Sequence, residues 1–196
     1  MRYFLPLYLL AYVIAAFFWR SYAVWKQTGV NPVVFKGSDS AHDFIGRLSK
    51  LLFAIVFVVV VIYAFVPGFY QYLMPIEVLE RGWVRLTGLI LLLVSLLWIV
   101  VAQAQMGGSW RIGIDTEHKT KLVRRGVFRL SRNPIFAGML TTLFGLFLTI
   151  PNMATLVILL AGIVLIGIQV RLEEEYLVQT HGDDYIEYRR NVRRWI

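Results

Sequence analysis

Cysteine is absent from the 196 residues, so disulfides, thiolate nucleophiles, Cys-ligated metals and lipid attachment at Cys are excluded for this chain. Histidine is scarce: His42, His118 and His181 stand far apart, without the spacing that imidazoles need to share an ion. No metal site is expected. Charge is sparse too, at 16% of residues, and bases outnumber acids by 20 to 12.

Apolar residues fill the space that these leave. At 58% hydrophobic the chain exceeds ordinary globular domains, and uninterrupted apolar runs recur at 3–19, 51–66, 86–104, 135–150 and 153–170. Each approaches the ~20 residues that cross a bilayer. The expected fold is all-α: one polytopic integral membrane domain over 1–196 with about five transmembrane helices, three of them in 1–104 and two in 105–196. Arg2 alone precedes the first run, and bulky Phe17, Phe18 and Trp19 follow it where a cleavage site needs small residues. That run is read as a retained first span.

A net charge of +8 invites a nucleic-acid reading, but the distribution of the basic residues favours a topology signal. One lies before the first span, five between spans one and two, two at Arg81 and Arg85, seven in the third connection, none at Pro151–Asn152 and five after Val170. Rich and poor connections alternate, which puts the N-terminus outside and both the third connection and the C-terminal tail in the cytoplasm. No nucleic acid is expected as a partner; membrane lipids are. The oligomeric state is not legible.

Between the spans the residues read mostly as anchors and turns. Trp19, Arg20, Tyr22 and Trp25 suit a headgroup belt. Gly29 and Pro32 mark a loop, Ser40 or Asp39 can cap a short amphipathic helix before span two, and His42 reads as a solvated loop side chain. Glu77 and Glu80 read as interfacial structure. Gly88 and Ser95 let a neighbouring helix approach span three. Gly107 and Gly108 make a turn followed by Trp110 and Arg111, consistent with a helix stop and an interfacial aromatic.

The segment 120–138, TKLVRRGVFRLSRNPIFAG, stands apart. Gly126 can supply a positive φ or a close backbone approach, and Pro134 holds Asn133 out of the helical region while suiting a helix first turn. A helix starting at Pro134 presents free N–H groups at the water–lipid boundary, where a polar ligand can be held. The same arginines also read as a topology-setting loop. Pro151 and Asn152 alone join spans four and five, which forces an antiparallel hairpin and returns the chain beside Pro134. There Glu173, Glu174 and Glu175 end a helix on the wrong side of its dipole and call for a cation. Beyond them Gly182 suits a helix stop and Asp183 an N-cap. Tyr185, Tyr188 and Val192 then share one face of a short amphipathic helix that lies on the membrane or folds back over the site.

Four elements in this order resemble the membrane methyltransferase superfamily of isoprenylcysteine carboxyl methyltransferases and phospholipid N-methyltransferases. They are the Gly-Gly-Ser-Trp turn, TKLVRRGVF, SRNPIFAG, and EEEYLVQTHGDDYIEY ending in RRWI, and they cover 107–196. The resemblance implies S-adenosylmethionine as methyl donor and S-adenosylhomocysteine as product, bound at the cytoplasmic membrane face. By motif position Thr120, Leu122 and Val123 would line the cofactor and Gly126 would shape the loop. Arg132, Asn133, Pro134 and Phe136 occupy the family's Arg-His-Pro-x-Tyr positions, and Glu173 and Glu174 its paired glutamates near the cofactor's amino group. Asn133 stands where the family has His, Phe136 where it has Tyr, and Gln169 where an Arg is frequent.

Methyl transfer from a sulfonium is an in-line displacement that needs alignment and exclusion of water. An ionised carboxylate acceptor needs a cation to place it, for which Arg171 and Arg194 are the candidates. An amine acceptor must lose a proton, to Glu173, Glu174, Glu175, His118 or His181. The expected acceptor is a lipophilic molecule of the isoprenylcysteine-carboxylate kind, with phospholipid or thiol acceptors as the alternative. An NADPH-dependent reductase of the sterol-reductase type and a non-catalytic membrane scaffold stand as rivals.

Overall fold

A computed structural model describes residues 2–34, 40–113 and 120–195. Within them the chain is helical: α1 (Phe4–Val13), α2 (Arg20–Thr28), α3 (Ala41–Phe65), α4 (Gly82–Met106), α5 (Pro134–Thr149), α6 (Met153–His181) and α7 (Asp183–Asn191). A π-helical stretch, Ile14–Trp19, joins α1 to α2 into one continuous helix. Four helical stretches, Phe4–Thr28, Ala41–Phe65, Gly82–Ser109 and Met153–His181, are long and apolar enough to cross a membrane, and α5 is a shorter apolar helix between them. Only 22% to 33% of the apolar windows is buried inside the protein. The remaining Leu, Val, Ile and Phe surface faces outward, as lipid but not water permits.

At 16 residues α5 is about 24 Å long, short of a ~30 Å hydrocarbon core. Its ends are continued by non-helical backbone at Ser131, Ile150 and Asn152, each at most 1% exposed. Irregular backbone at that depth is tolerated when protein surrounds it.

Helix boundaries move outward from those that apolarity marks. The first helix continues to Thr28, the second starts at Ala41 and the last reaches His181, because backbone hydrogen bonding continues past the point where the side chains turn polar. The short helix expected before span two is the first turns of α3, capped by Ser40 Oγ, which accepts from Asp43 N at 3.2 Å. Asp39 lies outside the described residues. Gly182 (φ +56°) ends α6, but it is Gly182, not Asp183, that sits at the N-cap of α7. Asp183 and Asp184 occupy the first turn, where the helix dipole favours carboxylates.

Close backbone approach joins α4 to α5. A Cβ on Gly88 would fall 2.5 Å from Thr149 Oγ1 and 2.7 Å from Gly145 O, and one on Gly138 would lie 2.5 Å from Ile99 Cγ1. Ser95 Oγ and Thr142 Oγ1 are 2.9 Å apart across the same seam, and Trp98 Nε1 donates to Pro134 O at 2.8 Å. At the far end the 150–152 turn is closed by a capping box. Thr155 N donates to Asn152 Oδ1 at 2.9 Å and Asn152 N to Thr155 Oγ1 at 3.2 Å. The 66–81 connection covers this turn through Ile76 N to Pro151 O and Met153 N to Met74 O. The hairpin therefore brings the start of α5 and the end of α6 to the same end of the bundle.

Gly88→Ala is expected to lower stability by about 1–3 kcal/mol through overpacking, whereas Gly82→Ala, where a Cβ meets nothing within 4 Å, should change it little. Thermal unfolding of both variants in the same detergent checks this.

Candidate active site

The connection entering α5 is shaped by Gly126. Its φ is +61°, and a Cβ there would lie 2.1 Å from Gln105 Oε1, the atom that accepts from Val127 N at 2.8 Å. Both properties read from this glycine in the sequence are present. The turn Gly126–Arg129 points Phe128 inward, and Tyr188 Oη donates to Phe128 O at 2.6 Å. Asn133 is held out of the helix (φ −127°, ψ +52°) and Pro134 starts α5.

Glu174 lies at the centre of the polar end of the bundle, 3% exposed. Its carboxylate accepts from Arg132 Nη2 at 3.2 Å, Arg194 Nη2 at 2.9 Å and Asn133 Nδ2 at 3.0 Å. The hydrogen bond to Glu174 raises the Arg194 guanidinium pKa above its ordinary value. Backbone bonds tie the tail down as well: Arg132 N donates to Arg193 O at 2.9 Å, Arg132 Nη1 to Val192 O at 2.6 Å and Ser131 Oγ to Arg194 O at 3.0 Å. Of the two placements open for the tail, the structure shows the folded-back one. Tyr185 and Tyr188 are buried on the inner face of α7, burial lifting both phenols, Tyr188 to about 12. Val192 follows the helix instead of extending its face.

Beneath the tail lies a cavity of about 600 Å³, within the ~300–1,000 Å³ range of small-molecule sites. Thr120, Leu122, Val123, Arg132, Asn133, Pro134, Phe136 and Glu173 line it. Gly126, Glu174, Arg171 and Arg194 do not. Gly126 acts on the loop, and Glu174 and Arg194 pair with each other. Arg171 is exposed, its Nη1 donating to Gly167 O of its own helix at 2.6 Å. Glu175 is exposed, His181 lies off the cavity wall, and His118 lies outside the described residues.

Sequence reasoning missed several wall residues. Trp110 is 3% exposed and faces the cavity, not a membrane interface. His42 belongs to the first turn of α3 and also lines the cavity, its Nδ1 3.4 Å from Gln169 Nε2. Ser40 marks a helix start there, but nothing in the sequence says which way His42 faces. Gln169 Nε2 also donates to Glu173 Oε1 at 3.0 Å. Among the described residues Glu173 is the one acidic side chain in the wall, and no cation there pairs with it.

Helices sheathed in apolar side chains, with a buried charge cluster and a large cavity at one end, define an integral membrane protein with a ligand site. Residues 83–184, over half of the chain, match the phospholipid methyltransferase family, and the chain belongs to it. It is a membrane methyltransferase of the superfamily that includes the isoprenylcysteine carboxyl methyltransferases. No individual curated protein matches. The match runs from the start of α4 to the first turn of α7, so it takes in α4, which the motifs at 107–196 did not reach, and stops short of RRWI.

Arg132→Ala, which strips a side chain 8% exposed from a carboxylate 4% exposed, should cost about 3 kcal/mol. Arg194→Ala, at a side chain 34% exposed, should cost less. Both should speed proteolysis of the tail at Arg189 and Arg190, read by mass spectrometry of limited tryptic digests.

Proposed function

We propose that the protein transfers a methyl group from S-adenosylmethionine to the amine of a phospholipid headgroup at the cytoplasmic membrane face. The observation carrying this reading is Glu173: a carboxylate in the cavity wall without a cation partner among the described residues. That carboxylate favours positive charge placed beside it, while Lys50, Arg111 and Lys121 line other parts of the wall. The arginines that a carboxylate acceptor calls for are engaged elsewhere, Arg194 by Glu174 and Arg171 by Gly167 O.

The residues present suit the donor. Its nucleoside is a flat aromatic with polar edges, and Thr120, Leu122, Val123 and Phe136, with Trp110 and Tyr185, offer apolar and aromatic walls broken by backbone polar groups. Its ammonium and sulfonium call for the negative charge that Glu173 supplies. Bound there, S-adenosylmethionine provides an electrophilic methyl that leaves S-adenosylhomocysteine behind.

The chain's own residues do the rest. Glu173 attracts the acceptor's ammonium and takes the proton that must leave before the nitrogen lone pair can attack. Gln169 holds the Glu173 carboxylate in place through its amide. Tyr185, Tyr188 and the Glu174 cluster keep the folded-back tail over the cavity and shield it from bulk water. The alternation of basic-rich and basic-poor connections supports an orientation with this end in the cytoplasm and the N-terminus outside. Reductase chemistry finds no support, since Phe136 carries no proton to donate.

Labelled methyl transfer is the test, with phosphatidylethanolamine, a prenylcysteine and a small thiol offered in parallel to purified protein. Label is expected in the phospholipid amine; label confined to a prenylcysteine methyl ester would overturn the reading. Glu173→Gln should cut the rate on the amine by about 100-fold or more and shrink the rise in melting temperature that S-adenosylhomocysteine gives the wild type.

A further inference from the structure

One face of α3, from a helix outside the family match, runs the length of the site. His42, Gly46, Ser49, Lys50 and Phe53 all line the large cavity, at the i, i+4, i+7, i+8 and i+11 spacing of a single helical face. Toward the membrane interior that face turns apolar. Ser49, Phe53, Val56 and Val60 line a second, narrow cavity of about 120 Å³ that shares Tyr12, Phe17 and Met139 with the first. Hydrogen-bond donors thus stand directly above an apolar slot on the same helix.

His42 is held in a defined state. Its Nδ1 faces Gln169 Nε2 at 3.4 Å, and that amide nitrogen is fixed as a donor by its bond to Glu173 Oε1 at 3.0 Å. A neutral ring that accepts at Nδ1 carries its proton on Nε2, which makes His42 a hydrogen-bond donor for a ligand in the cavity it lines. Gln169 therefore joins two opposite functions: a carboxylate on one side and an imidazole donor on the other. Lys50 adds an ammonium two turns further along α3, and Gly46 between them leaves the wall without a side chain.

We propose that His42 and Lys50 form the binding site for the phosphate of the acceptor lipid, with the Ser49 hydroxyl at its apolar edge. This rests on the phospholipid-amine reading above and deepens it. An ethanolamine headgroup carries its ammonium and its phosphate two carbons apart, and the wall places a carboxylate and an N–H donor on either side of one amide nitrogen. Glu173 takes the cationic end, His42 and Lys50 the anionic end, and the slot below receives the start of an acyl chain. The site reads a zwitterion and not simply an amine, which assigns substrate selection to the N-terminal half of the chain.

The test compares phosphatidylethanolamine with a long-chain primary alkylamine, which lacks phosphate, in the same vesicles. The readout is the ratio of kcat/KM for the two. His42→Ala and Lys50→Met should each lower this ratio about tenfold, the loss of one charge-assisted hydrogen bond. His42→Gln and Lys50→Arg, which keep a donor, should restore most of it, and S-adenosylhomocysteine affinity should stay within about twofold of the wild type. Equal losses on both amines, or a collapse of S-adenosylhomocysteine binding, would mean a structural or proton-transfer role and overturn the assignment, as would a ratio that does not move. Wild-type protein that methylates a prenylcysteine carboxylate and neither amine removes the acceptor reading itself, an outcome visible before any variant is made.

Discussion

A carboxylate enters a protein interior at a large desolvation cost, and Glu174 does so with three partners waiting. Arg132 from the connection before α5, Asn133 at the helix boundary and Arg194 from the tail converge on it. Charge burial of this kind adds little net stability compared with apolar packing, but it is intolerant of a missing partner. The consequence is geometric. The end of α6, the start of α5 and the last residues of the chain must meet at one point, and the cavity is the space enclosed when they do.

That meeting point depends on the membrane-embedded packing above it. Gly88 and Gly145 let α4 and α5 touch through their backbones, and Trp98 fixes the level at which α5 begins by donating to Pro134 O. The capped turn at Asn152 then sets how far α6 runs back. Apolar contact in lipid gives no hydrophobic drive between helices, so small residues and buried hydroxyl pairs hold the seam. A side chain at Gly88 would therefore force α4 from α5 at the Gly145–Thr149 end of the seam.

Much of this was legible in the residues and some was not. Apolar runs, alternating basic connections and the two-residue turn at Pro151–Asn152 gave the helices and their adjacency, because those patterns follow from backbone and lipid physics alone. Gly126 and Pro134 announced their conformations for the same reason. The choice between Glu173 and Glu174 was not legible. Adjacent carboxylates on a helix point about 100° apart, so one turned into the arginines and the other into the cavity, and only tertiary contact decides which. Arg194 looked available for a ligand because its partner is 20 residues away in sequence. His42 looked like a loop residue because the helix that carries it begins in polar sequence.

The two walls of the cavity differ in how they stand to the family match, which bears on how the enzyme divides its work. The family match runs from α4 to the first turn of α7 and takes in Arg132, Asn133 and Glu174 of the buried charge cluster, the connection at 120–133 and Glu173, with Arg194 beyond it. The opposite wall comes from α1, the π-helical turn and α3, through Tyr12, Ala16, His42 and Lys50. Gln103 Nε2 ties the two halves by donating to Ala16 O at 3.0 Å. Methyl-donor chemistry asks for the same fixed charges whatever the acceptor, whereas acceptor recognition asks for a wall that can differ. A cavity built half from the family region and half from outside it can therefore exchange acceptors by changing α1 to α3 without disturbing the Arg132–Glu174–Arg194 cluster. In that arrangement Gln169, on a helix inside the family match yet bonded toward both Glu173 and His42, links the two walls.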